Sequence, residues 1–307
     1  MKWMAFLLIL LSGSVFGQQS IAFLNQPNLE VRSLSSSIPA NSQTIPMQII
    51  RGMIYLEAEM NGQKGQFILD TGAPMLIVNR KLKPQKTKNA LSFGEGISVS
   101  ETQVASFKLA NIDQENIDAL ALDISHLEKA SGKNIMGLIG YNVLAQFELF
   151  FDFDQQLLHL IQIKAKASPS LQPPFASIDF KLYDHLPIVK VKIGGKTLRL
   201  GIDTGAASNL MDERVLADLD ASEIQYLPKE EIQGLDQKVK VVQSGLLQQM
   251  KVKNSSFGET KFLFTDLSFL REHTGYQIDG LLGSPFFAKA SFSINYPKKK
   301  INIWSEQ

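Results

Sequence analysis

Two acidic residues stand in the same tetrapeptide, Asp70-Thr71-Gly72-Ala73 and Asp203-Thr204-Gly205-Ala206, 133 residues apart. Each closes an apolar run, "FIL" before Asp70 and "LGI" before Asp203. A carboxylate at the end of a buried strand is costly unless it is paired or hydrogen-bonded. A turn alone would account for Asp and Gly, but not for the threonine or for the repetition: at ordinary residue usage a specified tetrapeptide occurs at roughly one position in 10⁵. The repeat therefore predicts a pseudo-twofold axis that brings Asp70 and Asp203 face to face. Two carboxylates about 3 Å apart at an effective dielectric near 20 repel by roughly 5 kcal/mol, which separates their apparent pKa values by about three to four units. Between those values the pair holds one proton. Its ionised member draws a proton from a bound water and its protonated member donates to a carbonyl oxygen, the equipment for hydrolysing an amide without a covalent intermediate.

The neighbouring residues fit that chemistry. Thr71 and Thr204 are expected to pass hydroxyl hydrogen bonds across the axis to the opposite backbone. Gly72 and Gly205 are read as permitting close approach of a substrate backbone. Gly137 and Gly280, in short apolar runs, let a second strand pack closely.

The elements that position these residues also occur twice. "IYLEAEMNGQKGQFILDTGA" and "PIVKVKIGGKTLRLGIDTGA" superpose without a gap. In each, apolar residues alternate with charged ones, then comes a turn (Asn61-Gly62; Gly194-Gly195) and a second strand, which is a β-hairpin by pattern. A second repeated element closes each half: "IMGLIGYNVLAQFELFFDFDQQLLHLI" from Ile135 matches "IDGLLGSPFFAKASFSINYPKKKINIW" from Ile278. Here the offset is 143, so the second half carries about ten extra residues, expected in loops around Asp212 to Gln237. The fold class predicted is all-β and mostly antiparallel, as two similar lobes at 47–164 and 176–307, joined by a Pro- and Ser-containing linker at 165–175.

At the N-terminus, Lys2 followed by the apolar stretch Met4 to Leu11 and by Val15-Phe16-Gly17 reads as a secretory signal over residues 1–17. The apolar stretch is far short of a membrane span, so no stable membrane insertion is expected after signal cleavage. Residues 18–46 read as an extended, flexible extension or propeptide. Export to a bacterial periplasm or exterior follows, and with no cysteine in the chain there is neither a disulfide nor a lipid-attachment thiol.

Other chemistries are excluded by what surrounds the candidate residues. The formal net charge is +1, and Lys298-Lys299-Lys300, the one compact basic run, follows Tyr296-Pro297 as a solvated turn would. Nucleic acid is therefore not an expected partner. His126, His159, His185 and His273 have no metal-ligand spacing. Ser284 lacks the second glycine of a nucleophile elbow, and there is no phosphate-binding glycine loop. No metal or organic cofactor is required.

On Asp70-Thr71-Gly72-Ala73 with Ile135-Met136-Gly137, and Asp203-Thr204-Gly205-Ala206 with Ile278-Asp279-Gly280, the chain resembles the aspartic peptidases of the pepsin and retropepsin superfamily. The resemblance spans roughly Met47 to Trp304. It implies two acid-protease-like β-barrel lobes with the active cleft between them, and Asp70 and Asp203 as the catalytic pair of an endopeptidase. The duplication is like the pepsin layout, while Ala73 and Ala206 are more like the retroviral type. The family implies a flap hairpin over the cleft, for which Phe93, Gly94 and Gly96 are candidates in lobe one, with a counterpart around Gly234 in lobe two. Phe93 stands where a tyrosine would be expected. Because Ala follows each glycine, no hydroxyl there assists the charged carboxylates, so activity is expected in mildly acidic to near-neutral conditions. The implied partner is a peptide or protein substrate, and one chain supplying both aspartates implies a monomer. The alternative is a non-catalytic peptide-binding protein that keeps the cleft, a reading that loss of an Asp or Thr from one lobe would have favoured.

Overall fold

The computed structural model describes residues 11–12, 42–82, 90–93, 97–163, 174, 176–234, 238–252, 255–288 and 291–304. Most of the signal and of the 18–46 extension, nearly all of the 165–175 linker, and Gly94 and Gly96 lie outside them. The fold is all-β, in two repeated halves. In each half the predicted hairpin forms: Met53–Met60 pairs with Gln63–Leu69, and Leu186–Ile193 with Lys196–Ile202, both antiparallel. Leu56, Ala58 and Met60 face the core, as do Val189, Val191 and Ile193, while Glu57, Lys190 and Lys192 face solvent. The period-two alternation thus decides which face is buried. Asn61 and Gly62 take φ of 50° and 80°, and Gly194 and Gly195 take 55° and 74°. Both central turn residues are left-handed, the geometry whose twist matches a tight hairpin and which Asn-Gly and Gly-Gly adopt at least cost.

The second strand of each hairpin runs into the aspartate loop and is paired in parallel with the strand of the second repeated element. Gln63–Leu69 lies beside Ile135–Ile139, and Lys196–Ile202 beside Gly280–Leu282. The strand leaving each loop, Leu76–Asn79 or Leu210–Asp212, pairs antiparallel on the far side of that same strand. Each aspartate loop therefore bridges over a glycine-bearing central strand. A Cβ on Gly137 would sit 2.0 Å from the Ile77 carbonyl oxygen, and one on Gly280 would sit 2.4 Å from that of Leu210. No side chain fits at either place.

The pairing registers locate the ten-residue difference between the halves. Ile77 and Leu210, at offset 133, pair with Leu120 and Leu263, at offset 143. Those residues in turn pair with Glu101 and Ser244, also at offset 143. The extra residues therefore enter between Leu210 and Ser244. Here the chain forms two 3-10 segments, Glu213–Asp218 and Ala221–Glu223, before the hairpin of Ile224–Gln233 and Val239–Leu247. Leu11–Ser12 pairs antiparallel with Ile232 and Gln233 on the outer edge of that hairpin.

The lobes are joined by six consecutive antiparallel strands in the order Ala176–Asp179, Lys300–Ile303, Phe292–Asn295, Phe147–Asp152, Leu157–Gln162, Gln43–Ile50, the last of which continues the sheet into the Met53–Met60 hairpin of lobe one. Phe147–Asp152 is buried along its whole length. Phe151 stacks on Phe292 with ring centroids 4.5 Å apart, and Phe292 on Phe287 at 4.3 Å. Each buried ring contributes about 1.5–3 kcal/mol, so the two lobes share one apolar core. Within it, Glu148 of lobe one accepts hydrogen bonds from Asn295 Nδ2 at 2.7 Å and Asn302 Nδ2 at 3.1 Å of lobe two. The Lys298-Lys299-Lys300 run opens at the exposed turn of the C-terminal hairpin.

Each lobe clamps its longer helix to the end of the strand leaving the loop, with different charges. In lobe two, buried Asp212 pairs with Arg271 of the Ser268–Thr274 helix and lies 3.4 Å from Arg214 Nε. Arg214 also reaches Asp279 at 2.7 Å. At the corresponding places lobe one has Asn79, Glu128 of the Ser125–Ser131 helix, and Lys81, with Glu128 and Lys81 2.5 Å apart. A buried carboxylate stripped of a partner is destabilising. Arg271→Ala leaves Asp212 with Arg214 alone and is expected to cost about 2–3 kcal/mol. The midpoint of urea unfolding checks this; an unchanged midpoint would show that Arg214 suffices.

Candidate active site

The two Asp-Thr-Gly loops meet at the pseudo-twofold axis, and the threonines lock them. Thr71 Oγ1 donates to the Ile202 carbonyl at 3.0 Å and accepts from Thr204 N–H at 3.0 Å. Thr204 Oγ1 donates to the Leu69 carbonyl at 2.9 Å and accepts from Thr71 N–H at 3.1 Å. Four buried backbone groups, which would otherwise be orphaned at the junction, are thus satisfied by two hydroxyls. Both threonines are fully buried.

Asp70 and Asp203 are each 1% exposed, and each carboxyl is seated against the glycine of the opposite loop. Asp70 Oδ1 accepts from Gly72 N–H at 2.9 Å and Ala73 N–H at 3.1 Å. Asp203 Oδ1 accepts from Gly205 N–H at 2.9 Å. Among the described N–H and O–H groups none reaches Asp70 Oδ2. Burial pushes the Asp70 carboxyl up to about 6. Asp203 is pushed well above the carboxylate range, first by burial and then by the charge of Asp70.

The glycines of the two loops make room for the opposite aspartates. A Cβ on Gly72 would lie 2.6 Å from the Asp203 carboxyl carbon, and one on Gly205 would lie 2.5 Å from that of Asp70. The space at each glycine is filled by the opposite aspartate. A second pair of glycines seats the loops from behind. A Cβ on Gly140 would come within 2.3 Å of the Met75 carbonyl oxygen, and one on Gly283 within 2.5 Å of those of Ala206 and Ser208. Ala73 and Ala206 are fully buried, and their carbonyls accept from Tyr141 N–H and Ser284 N–H.

The flap candidates are placed only in part. Phe93 ends the Ala90–Phe93 strand, paired with Ile97 at the start of Ile97–Leu109. Gly94 and Gly96 lie outside the described residues. The matching hairpin of lobe two runs through Gln233 and Val239.

Three residues to which the sequence assigns no role in the site lie near the pair. His185 Nε2 lies 2.8 Å from the Gly72 carbonyl oxygen, and Ser284 Oγ donates to the Thr204 carbonyl at 2.9 Å. Tyr296, buried at the turn of the C-terminal hairpin, packs edge-on against Tyr141 at 5.3 Å. Its phenol is pushed well up, first by burial, then by Tyr141 and by the charges of Asp70 and Asp203. The signal for His185 was available in the repeat: 133 residues earlier, the corresponding position is Gly52. The other described histidines do not gather at the pair; His159 Nδ1 meets Thr44 Oγ1 at 2.9 Å. Among the described residues no three or more His, Cys, Asp or Glu side chains form a group that could hold a metal ion.

A family model described as aspartyl protease matches residues 56–143 and 189–286, more than half of the chain. No curated protein matches it. The two matched segments carry one aspartate loop and one glycine strand each, the parts that meet at the axis, and the chain belongs to the aspartyl protease family.

Proposed function

We propose that the protein is an aspartic endopeptidase in which Asp70 and Asp203, one from each lobe, activate a water against a peptide bond. The observation that carries this reading is the pair of buried carboxyls brought together where the two threonine-locked loops meet, each seated against the opposite loop's glycine. With one proton between them, one carboxylate takes a proton from the attacking water while the other carboxyl donates to the scissile carbonyl. The backbone N–H groups on each Oδ1 and the threonine lock hold both carboxyls in place, so little reorganisation is required at the moment of reaction. Since one chain supplies both aspartates, the active species is a monomer.

The pH dependence follows from the same groups. Cleavage requires the singly protonated pair, so it is lost as falling pH protonates the more acidic carboxyl and as rising pH ionises the second. With the more acidic step at about 6, the acid limb should fall in mildly acidic solution and the optimum near neutrality. Incubating the chain with a diverse peptide library across pH, with products read by mass spectrometry, tests the proposal. Endoproteolytic products with a bell-shaped profile are expected. The absence of products at every pH would refute it.

A further inference from the structure

The aspartate pair is built on a pseudo-twofold axis, but the groups behind the two loops are not related by it. Behind the Asp70 loop, His185 reaches across from lobe two to the Gly72 carbonyl at 2.8 Å. A carbonyl oxygen only accepts, so Nε2 carries the hydrogen. That carbonyl belongs to the same peptide unit as Ala73 N–H, which donates to Asp70 Oδ1 at 3.1 Å. A donor on the oxygen of an amide polarises its N–H, so the two hydrogen bonds strengthen each other through the peptide plane. Behind the Asp203 loop the position corresponding to His185 is Gly52, which lies against the Ala207 carbonyl and has no side chain to donate. What that loop has instead is Ser284 Oγ on the Thr204 carbonyl, whose peptide carries Gly205 N–H to Asp203 Oδ1. A neutral hydroxyl is a weaker donor than an imidazole N–H, and far weaker than an imidazolium.

We infer that His185 is a positioning residue that acts through the Gly72–Ala73 peptide to hold the negative charge of the pair on Asp70, leaving the shared proton on Asp203. The inference rests on the reading of Asp70 and Asp203 as the catalytic pair, and it assigns them distinct roles: Asp70 as the base toward water, Asp203 as the acid toward the carbonyl. The backbone donors agree, since Asp70 Oδ1 receives two N–H groups at hydrogen-bonding distance and Asp203 Oδ1 receives chiefly one. Burial raises both carboxyls. The titratable groups around this arrangement are Tyr141, with its ring 6.5 Å from that of His185, Tyr296 behind Tyr141, and the flanking half-buried Tyr183 and exposed Asp184. Asp184, the one carboxylate among these four, faces solvent.

The test is a ¹³C NMR titration of the aspartate carboxyls in the full chain, with Asp70→Asn and Asp203→Asn used for assignment. Parent, His185→Leu and His185→Gln are compared. His185→Leu removes the donor and should raise the lower step of the pair by roughly half a unit or more, whereas His185→Gln, whose amide N–H replaces Nε2–H, should restore most of it. An unmoved lower step in His185→Leu, or equal movement in both variants, would overturn the inference, because a merely structural role does not track the donor. Should His185→Leu not fold, the ¹⁵N shifts of His185 in the parent decide the matter: an Nε2–H tautomer above the imidazole titration supports the relay, and an Nδ1–H tautomer overturns it. Because the titration needs no substrate, a donor-dependent shift in a chain that cleaves no peptide would refute the peptidase proposal and leave the charge assignment standing.

Discussion

Replacing either Asp70 or Asp203 with Asn is expected to lower peptide cleavage roughly 10³-fold or more, since half a pair cannot both accept and donate the protons of the reaction. The fold should survive. An amide at 203 still accepts from Gly205 N–H, and its NH₂ can donate to Asp70 Oδ2. Stability should respond in a direction opposite to that of most buried polar substitutions. Both carboxyls are raised in the folded protein, so above the ordinary Asp value near 3.9 the unfolded chain releases protons that the native pair retains. Native binding of more protons makes stability fall as pH rises, from that value through about 6 for Asp70 and further for Asp203. Asp203→Asn removes the share of that decline that belongs to Asp203 and keeps that of Asp70, whose burial is unchanged. Its melting temperature should match the parent's in strong acid and exceed it at neutral pH. Turnover retained by either variant would sink the two-carboxylate mechanism, and a parent whose stability rises from pH 4 to 7 while that of Asp203→Asn does not would contradict the raised carboxyls.

What was legible in the sequence is what backbone geometry forces on it. Gly137, Gly140, Gly280 and Gly283 sit where a Cβ would meet a carbonyl oxygen, and Asn61-Gly62 and Gly194-Gly195 where both φ angles are positive. Such positions tolerate few residues, so they recur in both halves and give the repeat away. The alternation in the two hairpins is legible for a similar reason, since one face of each strand is buried. The contacts that join the lobes follow no such local rule. Glu148 finds Asn295 and Asn302, and His185 finds Gly72, across more than 100 residues of chain, and neither residue belongs to a periodic pattern. The clamps show why even the repeat can mislead. Glu128 and Arg271 hold the same place and the same task with opposite charge, because each answers to its own partner, Lys81 or Asp212. That Gly72 and Gly205 make room for the opposite aspartates is visible only when the second lobe is in position.

The threonine lock leads to the second large effect, and this one concerns assembly. Thr71→Val and Thr204→Val preserve shape while deleting hydroxyls that each donate once and accept once. Either change leaves one buried N–H and one buried carbonyl unpaired, at about 1–3 kcal/mol for each group, so a single variant should lose on the order of 2–4 kcal/mol and the double variant more. Thr→Ser keeps the hydroxyl and gives up a methyl group, for which about 1 kcal/mol is expected. The serine variants therefore separate the hydrogen bonds from the packing. Because the two hydroxyls serve backbone groups on either side of one junction, their effects should be coupled rather than additive in a double-mutant cycle: once the first hydroxyl is gone the loops can part and admit water, and the second has less left to hold. Cleavage should fall more steeply than stability, since the Asp70 and Asp203 carboxyls act together only while the loops are held in register. Urea unfolding of the four valine and serine single variants and of the Thr71→Val/Thr204→Val double variant measures the first effect, and peptide turnover under conditions where each remains folded measures the second. Valine variants as stable and as active as their serine counterparts would mean that the shared sheet of Phe147–Asp152 and Phe292–Asn295 alone aligns the lobes, with the hydroxyls adding nothing to the register of the aspartates.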